Sequence, residues 1–169
     1  NATIGSRAYD RVLDGVELGG GGHRIHDPKV QQQGLAKHGI DAEEAKRRMA
    51  MASDHRGVAL KRALRERLEQ AGFEILDFGT DGSAAVDYPD TAGPAAEAVS
   101  RGDAERGIVI CGSGLGVSYT ANRFPHVRAA LAMDASMAEM ARRHNDANVL
   151  ALAADRLAPD AAWKIVETF

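Results

Sequence analysis

The stretch IVICGSGLGVS, residues 108–118, is an apolar run that ends in a cysteine and then meets three glycines spaced by two. Residues 108–111 predict a buried strand. The glycines predict a tight turn into a helix, where backbone N–H groups can converge on an anion. Cys111, the only cysteine among 169 residues, is either a small buried strand residue or a thiol activated by those N–H groups. The local sequence leaves both readings open.

The glycine spacing argues against a bound dinucleotide. In the fingerprint G-x-G-x-x-G the third glycine follows the second by three positions, whereas Gly116 follows Gly114 by two. The motif also follows the third predicted strand of the chain, not the first. We therefore expect no nicotinamide cofactor, and the sequence predicts no other cofactor.

Outward from this stretch, apolar runs of strand length alternate with segments that have helical apolar spacing, from about Arg48 onward. The pattern predicts an α/β fold over residues 47–169, a five-stranded parallel, Rossmann-like sheet with helices on both faces in three layers. Residues 1–46 lack this periodicity and form a separate N-terminal extension. The predicted strands are 49–53, 73–79, 107–111, 128–133 and 148–153, and the predicted helices are 58–72, 90–100, 115–124, 135–144 and one from about 159.

Polar residues follow three of the predicted strands. In parallel sheets, ligands bind at the carboxyl ends of the strands, where loops and helix N-termini collect. An Asp-His pair at 54–55, an Asp-Tyr pair at 87–88 and Cys111 all fall at that edge. A His-Asn pair at 144–145 ends a helix and falls at the opposite edge. A site that uses both edges therefore requires a second subunit.

Each of these motifs also has a purely structural reading. Ser53 or Asp54 caps the following helix, and a protonated histidine at position 144 complements the helix dipole. The functional readings are an acid beside His55 that holds one ligand, and a general acid or base at His144. Taken singly, the residues do not decide between the two readings.

Composition limits the class of protein. Hydrophobic residues make up 44% and charged residues 27% of the chain, and the net charge is −3. This balance gives no electrostatic case for nucleic acid or a membrane as a partner. A single cysteine forms no internal disulfide, so we expect a reducing, cytoplasmic location. His23 and His26 have metal-like spacing without further ligands, and no metal site is predicted.

Four motifs in a fixed order carry a resemblance to a known family. ASDHRG at 52–57, DYP at 87–89, ICGSGLGVSYTANR at 110–123 and RHNDANVLAL at 143–152 resemble the ribose-5-phosphate isomerase B family, which includes galactose-6-phosphate isomerase subunits. The resemblance covers residues 48–169. It implies interconversion of ribose 5-phosphate and ribulose 5-phosphate in the pentose phosphate pathway, without metal or cofactor. It also implies a homodimer or homotetramer whose sites are shared between subunits.

The resemblance implies a role for each site residue. Cys111 is the base that moves a proton between C1 and C2 of the open-chain sugar through an enediolate, and Ser113 assists proton movement at the oxygens. His144 and Asp54 open the furanose ring. Substrate contacts come from loop N–H groups that hold the oxyanion and from other pocket residues. These are Gly112, Gly114, Leu115 and Gly116 in the loop, His55 at the phosphate, Tyr88, Asn145 and Arg156.

Two features concern the phosphate. Family chains carry a basic tail whose arginines hold it, and the isomerase-like domain is expected to be truncated before that tail, at Phe169. An arginine soon after the His-Asn-Asp motif also contributes in the family, and Arg156 matches it one residue late. The alternative function is therefore a non-catalytic or weakly active sugar-phosphate-binding module, because charge-assisted arginine contacts would be missing.

Residues 7–48 resemble a different family, the aspartyl-type class II aminoacyl-tRNA synthetases. The resemblance places Glu17, in VELGGG, near ATP. About forty residues of a larger sheet do not bury a core alone, so we expect no synthetase activity. The segment either packs on the following domain or is poorly ordered around 19–22. An ATP- or tRNA-binding role would depend on Glu17 and the glycine run alone.

Overall fold

The chain divides into two units, Asn1–Lys46 and Arg47–Phe169. The computed structural model describes residues 9–13, 16–21 and 47–169. In the first unit, strands β1 (Tyr9–Leu13) and β2 (Val16–Gly21) pair antiparallel. The second unit carries the motifs at issue.

The second unit alternates strands and helices. In chain order these are β3 (Arg48–Ser53), α1 (Val58–Gln70), β4 (Glu74–Asp77), α2 (Tyr88–Arg101), β5 (Arg106–Cys111), α3 (Leu115–Ala121), β6 (Ala129–Leu131), α4 (Ala135–Asn145), β7 (Val149–Ala153) and α5 (Pro159–Thr168). Strands β3 to β7 form one parallel sheet in the order β4-β3-β5-β7-β6. The predicted fold class, a five-stranded parallel sheet, is confirmed.

The strand order places a crevice between β3 and β5. The chain passes from β3 outward to β4 and then returns to β5 on the other side of β3. Helices α1 and α3, which follow these two central strands, therefore cover opposite faces of the sheet. Such a reversal opens a crevice at the carboxyl edge, where ligands of open α/β sheets bind.

The two faces of the sheet bury different kinds of side chain. Alternate residues of a strand point to opposite faces, so Met51 and Ile110 enter one layer while Ala52 and Cys111 enter the other. The first layer packs leucines, isoleucines and methionines against α1, α4 and α5. The second packs alanines and valines against α2 and α3, and its small side chains let these helices approach the sheet closely. Cys111 thus faces the layer that contains α2 and α3.

Two strands are each three residues shorter than predicted, and β7 is one residue shorter. The strand expected over 73–79 spans Glu74–Asp77, because the Asp77 carboxylate accepts the N–H of Gly79 at 2.9 Å and turns the chain. The strand expected over 128–133 spans Ala129–Leu131 at the sheet edge. Neither change moves a predicted site residue to another edge of the sheet.

Helix ends also differ. The helix expected over 115–124 ends at Ala121, where the Asn122 amide side chain donates to the carbonyl of Ser118 and closes the turn. The helix expected over 90–100 spans Tyr88–Arg101 and ends at Gly102, whose φ of 81° reverses the chain.

A buried lysine joins α1 to the segment after β4. Lys61 is 1% exposed, and its Nζ lies 2.8 Å from both Asp77 oxygens and 3.0 Å from Asp81 Oδ1. The hydrogen bond from Lys61 lowers the pKa of the Asp81 carboxyl below its ordinary value. The pairing fixes the start of the segment that leads to Tyr88.

Replacing Lys61 with methionine is expected to lower the free energy of unfolding by about 3 kcal/mol, because Asp77 then loses its main partner while staying half-buried. Urea unfolding measures the change. Arg62→Met, one position along the same helix and exposed, is the matched control and should change stability by less than about 0.5 kcal/mol. Equal effects of the two changes would contradict the prediction.

Ser53 carries a buried hydroxyl at the end of β3. The residue is fully buried, and its Oγ has no hydrogen-bond partner within the described part of the chain. Helix α1 begins directly over it, since a Cβ on Gly57 would lie 2.8 Å from the Ser53 Cβ. Ser53 therefore does not cap the helix through its side chain.

Ser53→Ala is expected to raise the free energy of unfolding by about 1 kcal/mol, because it removes a desolvated donor without opening a cavity. Thermal unfolding of the full chain measures the shift in Tm. Ser118→Ala is the matched control, since that buried hydroxyl donates to the Leu115 carbonyl at 2.8 Å and should bring no gain. A loss of stability in Ser53→Ala would refute the prediction.

Candidate active site

Cys111 ends β5 at the crevice. Its side chain is buried, with the residue 5% exposed, and the Sγ accepts the backbone N–H of Gly114 at 3.1 Å. The burial agrees with the structural reading of Cys111, and the functional reading stays a prediction. The cysteine packs as a small core residue, while its sulfur lies on a loop N–H group that stabilises negative charge on a thiolate.

The turn that presents this N–H group requires glycine at position 114. Gly114 has a φ of 74°, a conformation that residues with a side chain rarely adopt. A Cβ there would also lie 2.5 Å from Leu131 Cδ1 and 3.1 Å from the carbonyl carbon of Leu152. The loop is therefore packed against the Leu131 side chain of β6 and the backbone of β7, and the N–H of Gly114 is held against Cys111.

Ser113 and Leu115 complete the loop at its exposed side. The Ser113 Oγ accepts the N–H of Leu115 at 3.3 Å, and both side chains are exposed. Two of the loop N–H groups expected to hold an oxyanion, those of Gly114 and Leu115, thus donate to side chains of the same loop region. Their acceptors are Cys111 Sγ and Ser113 Oγ. In the first turn of α3, the N–H groups of Gly116 and Val117 have no intrahelical acceptor.

Tyr88 lies on the other side of the loop. It is the first residue of α2 and is 41% exposed. A Cβ on Gly116 would lie 2.7 Å from its ring, so the ring rests directly on the glycine backbone. The absence of a side chain at position 116 lets the Tyr88 ring lie against the loop, and its role in lining a substrate pocket stays a prediction.

Asp54 directly follows β3, across the crevice from Cys111. It is 6% exposed, and its Oδ1 accepts the N–H groups of Arg56 at 2.9 Å and Gly57 at 3.1 Å. These bonds close the turn that precedes α1 and use one carboxylate oxygen, but α1 has Gly57 as its N-cap and no side-chain cap, so the predicted cap by Ser53 or Asp54 is wrong. The second oxygen, Oδ2, has no hydrogen bond within residues 47–169 and is free for a ligand.

His55 is half-buried beside Asp54. Its Nδ1 accepts the N–H of Val86 in a long contact of 3.4 Å, which ties the imidazole to the segment between β4 and α2. A neutral ring that accepts at Nδ1 carries its proton on Nε2. The imidazole can therefore donate a hydrogen bond from its other side.

The His-Asn pair at 144–145 lies at the opposite edge. It ends α4, whose 11 residues run roughly 16 Å back across the sheet at about 1.5 Å per residue. Both side chains are exposed. The structure thus brings Asp54, Tyr88 and Cys111 to one edge of the chain and leaves His144 and Asn145 at the other.

The end of α4 is fixed by charge pairs. Asp146 has a φ of 46°, and its carboxylate pairs with Arg128 at 2.9 Å and Arg142 at 3.2 Å. Beside it lies a cavity of about 350 Å³. Its lining residues are Asn122, Arg128, Ala129, Ala130, Ala141, Asn145 and Ala147.

Arg156 follows β7 at the carboxyl edge and is exposed. Sequence reasoning did not single out its neighbour Asp155, which holds Arg56 of the ASDHRG motif with the Arg56 Nη2 at 2.7 Å. The signal for this pair was weak. Both residues follow strands at the carboxyl edge, but 99 positions separate them along the chain.

Other predictions concern parts of the chain outside this edge. Within the described residues, no group of three or more acidic, histidine or cysteine side chains could hold a metal ion, and no helix is long and apolar enough to cross a membrane. His23 and His26 lie outside the described residues. Glu17 falls in β2.

Comparison with known proteins separates the two units of the chain. The Ribose/Galactose Isomerase family model matches residues 49–169, and a model of tRNA synthetases class II (D, K and N) matches residues 1–55. The ribose-5-phosphate isomerase B of Escherichia coli is 37% identical over 123 residues, covering 73% of this chain and 83% of that protein.

Solved structures agree with the sequence comparisons. The ribose-5-phosphate isomerase B of Clostridium thermocellum is 49% identical, with a TM-score of 0.71 over 72% of this chain and 82% of the other. A ribose 5-phosphate isomerase of Thermotoga maritima is 41% identical, also with a TM-score of 0.71, over 72% and 84% of the two chains. Both resemblances drawn from the motifs, for residues 48–169 and for 7–48, are confirmed.

Proposed function

The chain belongs to the Ribose/Galactose Isomerase family, and we propose on that premise that it interconverts ribose 5-phosphate and ribulose 5-phosphate, a step of the pentose phosphate pathway. The observation that carries the proposal is the position of Cys111. Its sulfur accepts the Gly114 N–H at the crevice between β3 and β5. Asp54, whose Oδ2 makes no hydrogen bond within residues 47–169, lies across this crevice.

Cys111 is the base for the carbon-bound proton. The thiolate takes the proton from C2 of the open-chain aldose, and the electron pair of that C–H bond moves through C1–C2 to the aldehyde oxygen, giving an enediolate. The thiol then returns a proton to C1 while the C2 oxygen becomes the carbonyl of the ketose. Ser113, in the glycine loop, carries the hydroxyl proton of the enediolate from O2 to O1.

The glycine loop holds the negative charge of the enediolate. Donors fixed before the reaction stabilise charge that develops in the transition state without reorganising. The N–H groups of Gly112, Gly114, Leu115 and Gly116 are the donors in this proposal. When substrate enters, the Gly114 and Leu115 N–H groups exchange their present acceptors, Cys111 Sγ and Ser113 Oγ, for substrate oxygens.

Ring opening uses one residue from each edge of the sheet. Asp54 offers Oδ2 at the crevice, while His144 and Asn145 lie at the far edge of the same chain. We therefore assign ring opening to Asp54 of one subunit and His144 of the partner subunit, with Asn145 of the partner subunit binding nearby. The enzyme is on this proposal a homodimer, or a homotetramer made of such dimers.

An exposed apolar surface supports this assembly. Helices α3 and α4 both contact the edge strand β6 and present large uncovered side chains around it. Large apolar side chains exposed on both sides of a sheet edge favour coverage by a second subunit. The residues concerned are Leu115 and Tyr119 on α3, Met137 and Met140 on α4, and Met133 just after β6.

The remaining groups bind the substrate. The Tyr88 ring lines the loop, and the Nε2–H of His55 donates to the phosphate from the rim of the crevice. Arg156, exposed at the same edge, is assigned to the phosphate on the family resemblance alone.

An isomerisation assay tests the proposal. The full chain is incubated with ribose 5-phosphate, and ribulose 5-phosphate is followed by NMR. Turnover is expected without added nucleotide or metal and in the presence of a chelator. Binding of ribose 5-phosphate without turnover would contradict the proposal and favour the alternative, a non-catalytic sugar-phosphate-binding module.

A further inference from the structure

An arginine lies over the glycine loop. The Arg56 guanidinium donates to Asp155 through Nη2 at 2.7 Å and through Nε at 3.1 Å, in a two-pronged ion pair. A Cβ on Gly112 would lie 2.7 Å from both Arg56 Nε and Asp155 Oδ2. The pair therefore rests on the backbone of the residue that directly follows Cys111.

The pair lies at the mouth of the crevice. The side chains of Arg56 and Asp155 are 57% and 42% exposed, whereas Cys111 is buried below them. In ribose 5-phosphate the phosphate is at the far end of the sugar from the reacting carbons. With C1 and C2 at the buried sulfur, the phosphate extends toward the rim, where Arg56 stands next in sequence to His55.

Arg56 keeps donors for a ligand. Asp155 engages Nε and one edge of Nη2, and Nη1 has no hydrogen-bond partner anywhere in residues 47–169. The hydrogen bond to Asp155 raises the pKa of the guanidinium further above its ordinary value, so the group stays charged. Guanidinium groups bind phosphate through paired N–H groups, and an arginine held in place loses less freedom on binding.

We propose that Arg56 binds the phosphate of the sugar-phosphate substrate and that Asp155 positions its guanidinium over the glycine loop. This inference rests on the proposed function and names a residue beyond those predicted from the sequence. The pair joins the turn between β3 and α1 to the end of β7. Because an exposed Arg–Asp pair contributes little to stability, this structural link alone does not account for it.

Inhibition of the isomerisation by inorganic phosphate measures the contact between Arg56 and phosphate separately from the contacts with the sugar. Arg56→Met is expected to raise both the KM for ribose 5-phosphate and the inhibition constant of inorganic phosphate by about tenfold to a hundredfold, with kcat less affected. Arg56→Lys keeps the charge but loses the paired donors, so its values should lie between those of wild type and Arg56→Met. Arg62→Met, an exposed arginine on α1, is the matched control and should leave both constants unchanged.

Calorimetric titration with inorganic phosphate provides a readout that needs no turnover. Weaker phosphate binding in Arg56→Met supports the inference even if the wild-type chain proves inactive, in which case only the proposed function fails. If the wild type is active and Arg56→Met binds phosphate as the wild type does, the proposed function stands and the inference is wrong. A fall in kcat with unchanged phosphate affinity would likewise overturn it.

Discussion

Cys111→Ala lowers kcat for ribose 5-phosphate by about 10³-fold, because no other side chain at the crevice replaces the base at the carbon. The substitution removes only a sulfur from a site already lined by alanine and valine, so the fold and the substrate affinity should persist. Steady-state kinetics measures the loss, and calorimetry with ribose 5-phosphate checks binding.

Val109→Ala is the matched control for this experiment. It shortens another side chain of β5 in the same core layer, two residues before Cys111, without touching the glycine loop. Its cost should appear in the free energy of unfolding and not in kcat. A kcat of Cys111→Ala within tenfold of the wild-type value would show that Cys111 is not the base.

His144→Ala is also expected to be inactive, by about 10²-fold or more, because it removes the acid–base partner of ring opening. Mixing it with Cys111→Ala should restore activity if each site takes residues from two subunits. In a mixed dimer, one site carries both substitutions and the other carries none. Random pairing makes about half of the dimers mixed, so about a quarter of wild-type activity should return.

Native mass spectrometry confirms that mixed dimers have formed before activity is measured. Recovery above the sum of the two single variants supports a shared site. No recovery in a sample that contains mixed dimers would mean that Cys111 and His144 act within one chain or in separate steps. It would then be necessary to explain how one chain spans the sheet between them.

The architecture was accessible from the sequence because its signals are local. Apolar runs such as 107–111, and the glycines at 72 and 102 that follow two of the helices, indicate the alternation of strands and helices, and alternation predicts a parallel sheet. The placement of residues 54–55 and 144–145 at opposite edges followed from the same alternation. Strand and helix ends were predicted less well, because side-chain bonds such as that of Asp77 to Gly79 end them.

The details of the site depend on contacts that a single sequence does not contain. The bond from Gly114 to Cys111 requires the backbone geometry of the loop. That Asp54 closes the turn before α1 while Ser53 makes no hydrogen bond depends on the direction of each side chain. The pairing of Arg56 with Asp155 joins two distant parts of the chain and became visible only when β3 and β7 were placed in one sheet.

The fate of the C2 hydrogen tests most directly the central claim, proton transfer by Cys111 through an enediolate. Ribose 5-phosphate is converted by the full chain in D₂O, and deuterium at C1 of the ribulose 5-phosphate is measured by NMR. Deuterium at C1 is predicted, because the thiol exchanges its proton with solvent, and Cys111→Ala should introduce almost none. Product that retains the original hydrogen with no solvent deuterium, or equal exchange in Cys111→Ala, would contradict the claim.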